Sequence, residues 1–208
     1  MDNGRTNNQS KKDLSLLAKM VSLPRFLSYD LGGKGIEVKP NRFSPIYINL
    51  KSVWCYPEIL FPLIKKLTHT LIGCSHVIGI ETGGSPYAVM AARDLKIPLI
   101  LARKESKKSV EHLAGYTKGD GTFAIVDDVL ASGFSMEPAL KAIQNDKRKV
   151  RLASILSYGM DALIEKKYNI KVYSLYQIED VLKVISPELA EVLTPVISKF
   201  KKELKEKM

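Results

Sequence analysis

The stretch that most constrains this chain is Thr122-Phe-Ala-Ile-Val-Asp-Asp-Val-Leu-Ala-Ser-Gly-Phe-Ser135, followed at once by the helix-like run Met136 to Ile143. Phe123 to Val126 is short, aromatic and β-branched, which predicts an interior parallel strand. Asp127 and Asp128 then fall at its carboxyl end, where open α/β sheets place ligands. Successive strand residues point to opposite faces. One acid can therefore face a ligand's hydroxyls, or a metal-bound ligand, while the other is held by neighbouring backbone. The turn Ala131 to Ser135 can aim successive N–H groups and two hydroxyls at an anion, with the dipole of the following helix adding attraction. The plainer alternative is a strand end with Ser135 as an N-cap and Glu137 in the first helical turn.

A second strand, turn and helix precede it. His76-Val-Ile-Gly-Ile80 reads as a short buried strand, Glu81-Thr82-Gly83-Gly84-Ser85-Pro86 as a turn, and Tyr87 to Leu95 as a helix. One such turn is weak evidence of anion binding. Two, each at the end of a buried strand and separated by the strand Leu99 to Ala102, are stronger, and they suit a phosphorylated sugar whose 5′-phosphate and pyrophosphate each need a cradle.

At 208 residues and 45% hydrophobic content the chain is long enough for one well-buried α/β domain. The formal charge of +10 suggests an anionic partner, although much of the excess falls in Lys147-Arg148-Lys149, Lys166-Lys167 and the tail from Lys199 to Lys207, the usual places for solvated lysine. Cys55 and Cys74 are isolated and lack zinc-site spacing. No apolar leader and no run of 18 apolar residues is present, so the expected setting is cytoplasmic, with no membrane partner. Met1 to Ser10 is polar and expected to be loose.

Elsewhere the pattern predicts a helix over Lys11 to Val21, ended by Pro24, and short strands at Phe26 to Tyr29 and Ile36 to Val38 around the turn Gly32 to Gly35. The segment Val38 to Leu50 carries two prolines that favour an edge position. Pro57 to Leu71 reads as a helix with one broad apolar face. Arg103 to Gly115, with four cations in its first six residues, reads as a mobile basic loop able to close over an anionic leaving group. Val150 to Leu156 and Val172 to Leu175 are the last strands, and Asp161 opens a helix towards Tyr168. The alternation implies a mainly parallel sheet flanked by helices. Glu179 to Ile185 and Pro187 to Lys205 close the chain as helices, the second broken or restarted at Pro195.

The stretch Thr122 to Ser135 resembles the phosphoribosyl pyrophosphate (PRPP) signature of type I phosphoribosyltransferases: apolar residues, two acids, two residues, then Thr-Thr-Gly-x-Thr or Ser. Ala131 and Ser132 stand where that signature has threonines, and Phe134 where it has a small residue. Three further stretches are similar to orotate phosphoribosyltransferases. Lys39, Arg42, Ser44 and Pro45 match the base-binding segment, with Pro40-Asn41 in place of Ser-Gly. Glu81 to Pro86 matches the pyrophosphate loop, with Ser85 in place of Ile. Arg103, Lys104 and Lys107 match the catalytic loop, but Ser109-Val110 replace its His-Gly and His112 is displaced by three positions. The Asp-Arg pair that many of these enzymes place near Ser157 to Asp161 is missing.

The resemblance implies a type I phosphoribosyltransferase fold, α/β with a mainly parallel sheet and a small N-terminal base-binding subdomain. Residues 1–208 then form one domain: 11–50 the helix and base-binding hood, 51–176 the PRPP-binding core, 177–208 the C-terminal helices. It implies transfer of the phosphoribosyl group from PRPP to orotate. Lys107, Asp127 and Asp128 are the implied catalytic residues. PRPP would contact these three and also Thr82, Gly83, Gly84, Arg103, Lys104, Val129, Leu130, Ala131, Ser132, Gly133, Phe134 and Ser135. Orotate would contact Lys39, Tyr47, Ile48 and Ser132. Mg2+ would be held mainly by PRPP, with Asp127 or Asp128, and the enzyme would be a homodimer with a shared active site. The alternatives are a phosphoribosyltransferase for another base and a PRPP-binding regulator of nucleic acid. The second has the charge of +10 in its favour, but the chain offers no DNA-reading module and few clustered aromatics, so no nucleic-acid partner is expected.

Overall fold

The computed structural model describes residues 14–39, 41–103, 113–115, 119–143 and 148–208. Three expectations lie outside them: the loose start Met1 to Ser10, the first turn of the first helix, and the basic loop from Lys104 to His112. The chain divides into two compact units, residues 62–175 and residues 1–61 with 176–208.

The unit of residues 62–175 is built on a six-stranded sheet of order β10-β9-β8-β5-β6-β7, with β5 His76–Ile80, β6 Leu99–Ala102, β7 Leu113–Ala114, β8 Gly121–Leu130, β9 Arg148–Ser157 and β10 Lys171–Gln177. β5 pairs parallel with β6 and with β8, and β8 parallel with β9, as the alternation of strand and helix requires. The short β7 runs antiparallel to β6, through Leu101 opposite Ala114 and Ala102 opposite Leu113. Strands covered on both faces read as unbroken apolar runs: Phe123 to Val126 are fully buried, and all five residues of β5 are buried, His76 at its start less deeply than Val77 and Ile78. Each such Ile, Val or Phe contributes roughly 1.5–3 kcal/mol over its exposed state.

Four helices belong wholly or mostly to this unit: α2 Pro57–Thr70, α3 Gly84–Leu95, α4 Glu137–Ile143 and α5 Asp161–Tyr168. α3 starts three residues earlier than the periodicity suggests and turns inward Tyr87, Ala88, Ala91 and Ala92. It lies close on β5 because Gly79 has no side chain: a Cβ there would stand 2.8 Å from the Ala88 Cβ and 2.9 Å from the Ser85 Cα. α5 is tied to β9 and β10 by Asp161, whose carboxylate accepts hydrogen bonds from the hydroxyls of Ser157 and Ser174.

The other unit begins with helix α1 over residues 14–21, whose Leu17 and Met20 are fully buried. Two small antiparallel sheets follow. β1 (Leu27–Tyr29) pairs with β4 (Ile46–Ile48), and β2 (Ile36–Lys39) with β3 (Arg42–Ser44). The Gly-rich turn between β1 and β2 is held by Asp30, whose carboxylate accepts from the N–H groups of Gly33 at 2.9 Å and Gly35 at 3.0 Å. Those bonds favour the ionised acid and hold it below the ordinary aspartate range. The chain closes with α6 Ile178–Leu182 and α7 Pro187–Glu206, capped by the Ser186 hydroxyl, which accepts from the Leu189 N–H.

α7 corrects one expectation: it passes through Pro195 without a break. Pro195 and Glu191, the residue whose carbonyl loses its donor, are both exposed, so solvent can satisfy that carbonyl. Leu193 and Ile197 meanwhile stay buried and hold the helix in place. Among the described residues no helix is long and apolar enough to cross a membrane.

Candidate active site

β8 extends beyond its apolar run to Leu130, so both acids lie inside the strand, in its last turn before the loop. Asp127 stands opposite Ser154 of β9 and is 5% exposed. One of its oxygens accepts the Ser135 hydroxyl at 2.6 Å and the other the Asp128 N–H at 3.0 Å. Burial first, and then the Asp128 charge, push the Asp127 carboxyl up to about 7, while the Ser135 hydroxyl pulls it down. Asp128 is less buried, and one of its oxygens accepts the Val129 N–H at 2.9 Å. The two acids thus divide as the strand pleat requires, one turned inward and one beside the neighbouring loop.

That loop follows β5. The Glu81 N–H bonds to the Ala102 carbonyl at 2.9 Å, which ties the carboxyl ends of β5 and β6 together. The peptide from Glu81 to Thr82 is cis. Thr82 is exposed, whereas Gly83 and Gly84 are buried and open α3. A Cβ on Gly83 would lie 2.0 Å from Asp128 Oδ2, and one on Gly84 would lie 2.2 Å from the Val126 carbonyl oxygen. The loop after β5 and the acids of β8 are therefore in direct contact, with room for glycine alone. The α3 N-terminus, which has no side-chain cap, meets the Asp128 carboxylate there.

After β8 the chain turns through Ala131 to Met136, with Gly133 at φ 77 and the Met136 N–H bonded to the Gly133 carbonyl at 3.1 Å. The Phe134 ring lies 5.2 Å below the Lys167 ammonium of α5. Lys167 also stands 3.8 Å from Glu137, which accepts the Tyr168 hydroxyl. The end of α5 thus holds the turn from outside. Ser135 differs from its expected role, since its hydroxyl proton goes to Asp127 and leaves the turn's N–H groups and Ser132 as donors for an anion. Leu130 points into the core, and its carbonyl accepts the Tyr158 N–H. Any contact it makes with a ligand runs through remaining backbone.

Within this unit Gly83, Gly84, Asp127, Asp128 and Ser135 come together, and half-buried Arg103 leaves the end of β6 next to the Glu81 loop. Lys104 and Lys107 lie outside the described residues. Lys39, at the end of β2, and Tyr47 and Ile48, on β4, belong to the other unit, with Tyr47 half-buried and Ile48 buried. Gly79 and Asp161 escaped the motif reading. A glycine inside a strand is the signal for the first; nothing local signals the second. Among the described residues no group of three or more His, Cys, Asp and Glu could hold a metal ion.

Comparison with known proteins identifies the family. The family model of the phosphoribosyl transferase domain matches residues 63–191. The orotate phosphoribosyltransferase of Saccharolobus solfataricus is 32% identical over 151 residues, 68% of this chain and 74% of that protein. That of Pyrobaculum aerophilum is 30% identical over 158 residues, 71% of this chain and 80% of that protein. The chain belongs to the phosphoribosyl transferase family and, within it, to the orotate phosphoribosyltransferases. The orotate phosphoribosyltransferase structure from Aeropyrum pernix superimposes with a TM-score of 0.64 at 21% identity, covering 82% of this chain and 96% of that one. An adenine phosphoribosyltransferase from Leishmania donovani gives 0.62 at 20% identity, with 83% of each chain covered. At those identities the structures speak for the fold.

Proposed function

We propose that this chain transfers the 5-phosphoribosyl group from PRPP to orotate, giving orotidine 5′-monophosphate and pyrophosphate in pyrimidine synthesis. The observation that carries the reading is the contact between Asp127-Asp128 and Gly83-Gly84, which sets the Asp128 carboxylate against a helix N-terminus, with the Asp127 carboxylate held by Ser135 at the same strand end. The C1′–O bond breaks with its electron pair leaving on pyrophosphate, the orotate ring nitrogen forms the new bond to C1′, and the proton that nitrogen carried passes to solvent or to the departing pyrophosphate. Positive character grows on the ribose and negative charge on the leaving group, so the protein's work is electrostatic positioning. Asp128 and Asp127 stabilise the ribose. The N–H groups of the turn from Ala131 to Ser135, with the Ser132 hydroxyl, hold the 5′-phosphate. Thr82 to Gly84 and the α3 N-terminus receive pyrophosphate, and Arg103, Lys104 and Lys107 neutralise it.

Mg2+ fits this site as a companion of the substrate. Both Asp127 oxygens already accept hydrogen bonds, so Asp128 is the better protein donor and the phosphates of PRPP supply the rest. The ion would neutralise charge on the leaving group. Lys39, Tyr47, Ile48 and Ser132 read the base, the 208 residues act as one functional domain, and two chains share each site through the loop that carries Lys107. Two free cysteines suit a reducing, cytoplasmic setting.

The test is ultraviolet measurement of orotate consumption with PRPP and magnesium, beside adenine, hypoxanthine and uracil. Orotate should be the base consumed; faster use of any control would move the enzyme to another base. For the shared site, a Lys107→Ala chain mixed with an Asp127→Asn chain should regain a fraction of the activity, and verified heterodimers without activity would count against it.

A further inference from the structure

At the opposite edge of the same sheet lies a cavity of about 800 Å³. It forms where β9 begins, at Arg148, Lys149 and Val150, and where α5 passes into β10, at Lys166, Asn169 and Lys171. The register pairs Gly121 with Arg148, Phe123 with Val150 and Asp127 with Ser154, so the cavity wall from Val150 to Arg148 lies about 13 to 20 Å along the strands from the acids, at roughly 3.3 Å per residue. A ligand seated on Asp127 does not reach it.

The lining has two chemistries. Its floor is apolar, made by Leu140, Val150, Ala162 and Ile170, with Tyr168 as the one aromatic among the described lining residues. Burial and the bond to Glu137 push the Tyr168 phenol above its ordinary pKa, so it adds no negative charge. Among the described lining residues the rim carries four cations, Arg148, Lys149, Lys166 and Lys171, against a single acid, Glu165. That acid is engaged already: it accepts the Val172 N–H at 2.9 Å and stands 4.0 Å from Lys171 Nζ. Arg148 is fixed in place by bonds to the Gly119 and Ile143 carbonyls at 3.1 and 3.3 Å and lies over the Phe123 ring at 4.8 Å. Lys149 and Lys166 are exposed and form no ion pair among the described residues.

Cations gathered around a concave, low-dielectric floor repel one another, and their fields add within a Debye length of about 8 Å. An anion relieves that repulsion. A bare phosphate would use the rim and leave the apolar floor wet, whereas a ligand with both a flat ring and a phosphate uses both. The volume falls within the roughly 300–1,000 Å³ of small-molecule sites. A nucleic-acid strand asks instead for a track with several stacking rings, and here there is one.

We propose that this cavity is a second ligand site that binds a nucleoside monophosphate, with the phosphate on Lys149, Lys166 and Lys171 and the base over Val150 and Ile170. The test is calorimetric titration of the full chain with AMP, GMP, CMP, UMP and inorganic phosphate, with PRPP and magnesium in excess to fill the catalytic site and orotate left out. At least one nucleotide should bind with one site per chain, and inorganic phosphate at least tenfold more weakly. In the variant Lys149→Glu/Lys166→Glu, nucleotide affinity should fall at least tenfold while orotate consumption stays within twofold of the parent. Absence of nucleotide binding beside PRPP overturns the proposal, as does equal binding by the variant. So does capture of an oligoribonucleotide on these lysines without any mononucleotide binding. If PRPP itself does not bind, the catalytic reading fails, and the loss or retention of nucleotide binding in the Lys149→Glu/Lys166→Glu variant still decides this one.

Discussion

Replacing Gly83 with alanine should separate catalysis from stability. The residue has φ −68 and ψ −41, which alanine adopts freely, so the substitution brings a gain of about 0.4–1 kcal/mol through the unfolded chain. Against this, the new Cβ would stand 2.0 Å from Asp128 Oδ2 and 2.2 Å from its Cγ, where ordinary contact begins at 3.4 Å. The carboxylate is the movable partner and has to withdraw by about 1.4 Å. Stability should then stay within about 1 kcal/mol of the parent, because a side-chain end yields more cheaply than backbone. A shift of about 1 Å at a reacting group can cost 10²-fold, so kcat/KM should fall about a hundredfold, or roughly 2.7 kcal/mol of transition-state stabilisation. Gly84→Ala is the contrast. Its Cβ meets the Val126 carbonyl at 2.2 Å and the Asp127 Cα at 2.8 Å, both backbone of the central strand, and overpacking there should cost about 1–3 kcal/mol or more. Urea unfolding measures stability and ultraviolet loss of orotate measures rate. In an Asp128→Ala background Gly83→Ala should cost little further rate. A hundredfold loss that persists there, or parental activity in Gly83→Ala alone, would refute the assignment of Asp128.

Asp127 sets a pH dependence of stability. Its folded pKa lies above the ordinary 3.8, so its stabilising contribution is full below about pH 4 and is lost as pH rises through about 7. Asp127→Asn, with no charge to bury, should gain on the parent in urea midpoint from pH 5 to pH 8 while losing most of its turnover; a constant difference would contradict the assignment. Lys167→Ala removes the cation over Phe134, a contact of about 0.5–1 kcal/mol, and should raise the KM for PRPP several-fold with kcat within twofold. An unchanged KM would show that α5 does not hold the turn. Asp161→Ala leaves the Ser157 and Ser174 hydroxyls without their acceptor and should cost about 1–3 kcal/mol in urea unfolding, with turnover per folded molecule retained.

The parts of this molecule that were legible in the sequence are those whose cause is local. Val77, Ile78 and Phe123 to Val126 lie buried on both faces of the sheet, so their strands read as unbroken apolar runs. The glycine turns after β5 and β8 and the acid pair between them follow from the same short-range pattern. Other features depend on distant partners. Ser135 reads locally as a cap or a phosphate donor, yet its proton goes to Asp127, across the turn. Pro195 reads locally as a helix break, and the rule fails because its exposed side faces solvent while Leu193 and Ile197 are buried. β7 is two residues long, too short for any periodicity, and exists only because Leu101 and Ala102 offer it an edge.

That small strand bears on how this enzyme can vary. Ala102 and Leu113 are partners across β6 and β7, so the chain leaves the sheet after Ala102 and re-enters it at an adjacent point. Residues 103–112 are thus spliced into a junction already closed by hydrogen bonds, and lengthening such a segment costs only slowly, as (3/2)RT ln n. This is the segment in which Ser109-Val110 stand where the resemblance to the catalytic loop leads one to expect His-Gly. A change in the length of chain between Ala102 and Leu113 therefore leaves the pairing of β6 with β7 free to form in the same register, so the sheet sets where this segment starts and stops without setting how long it is.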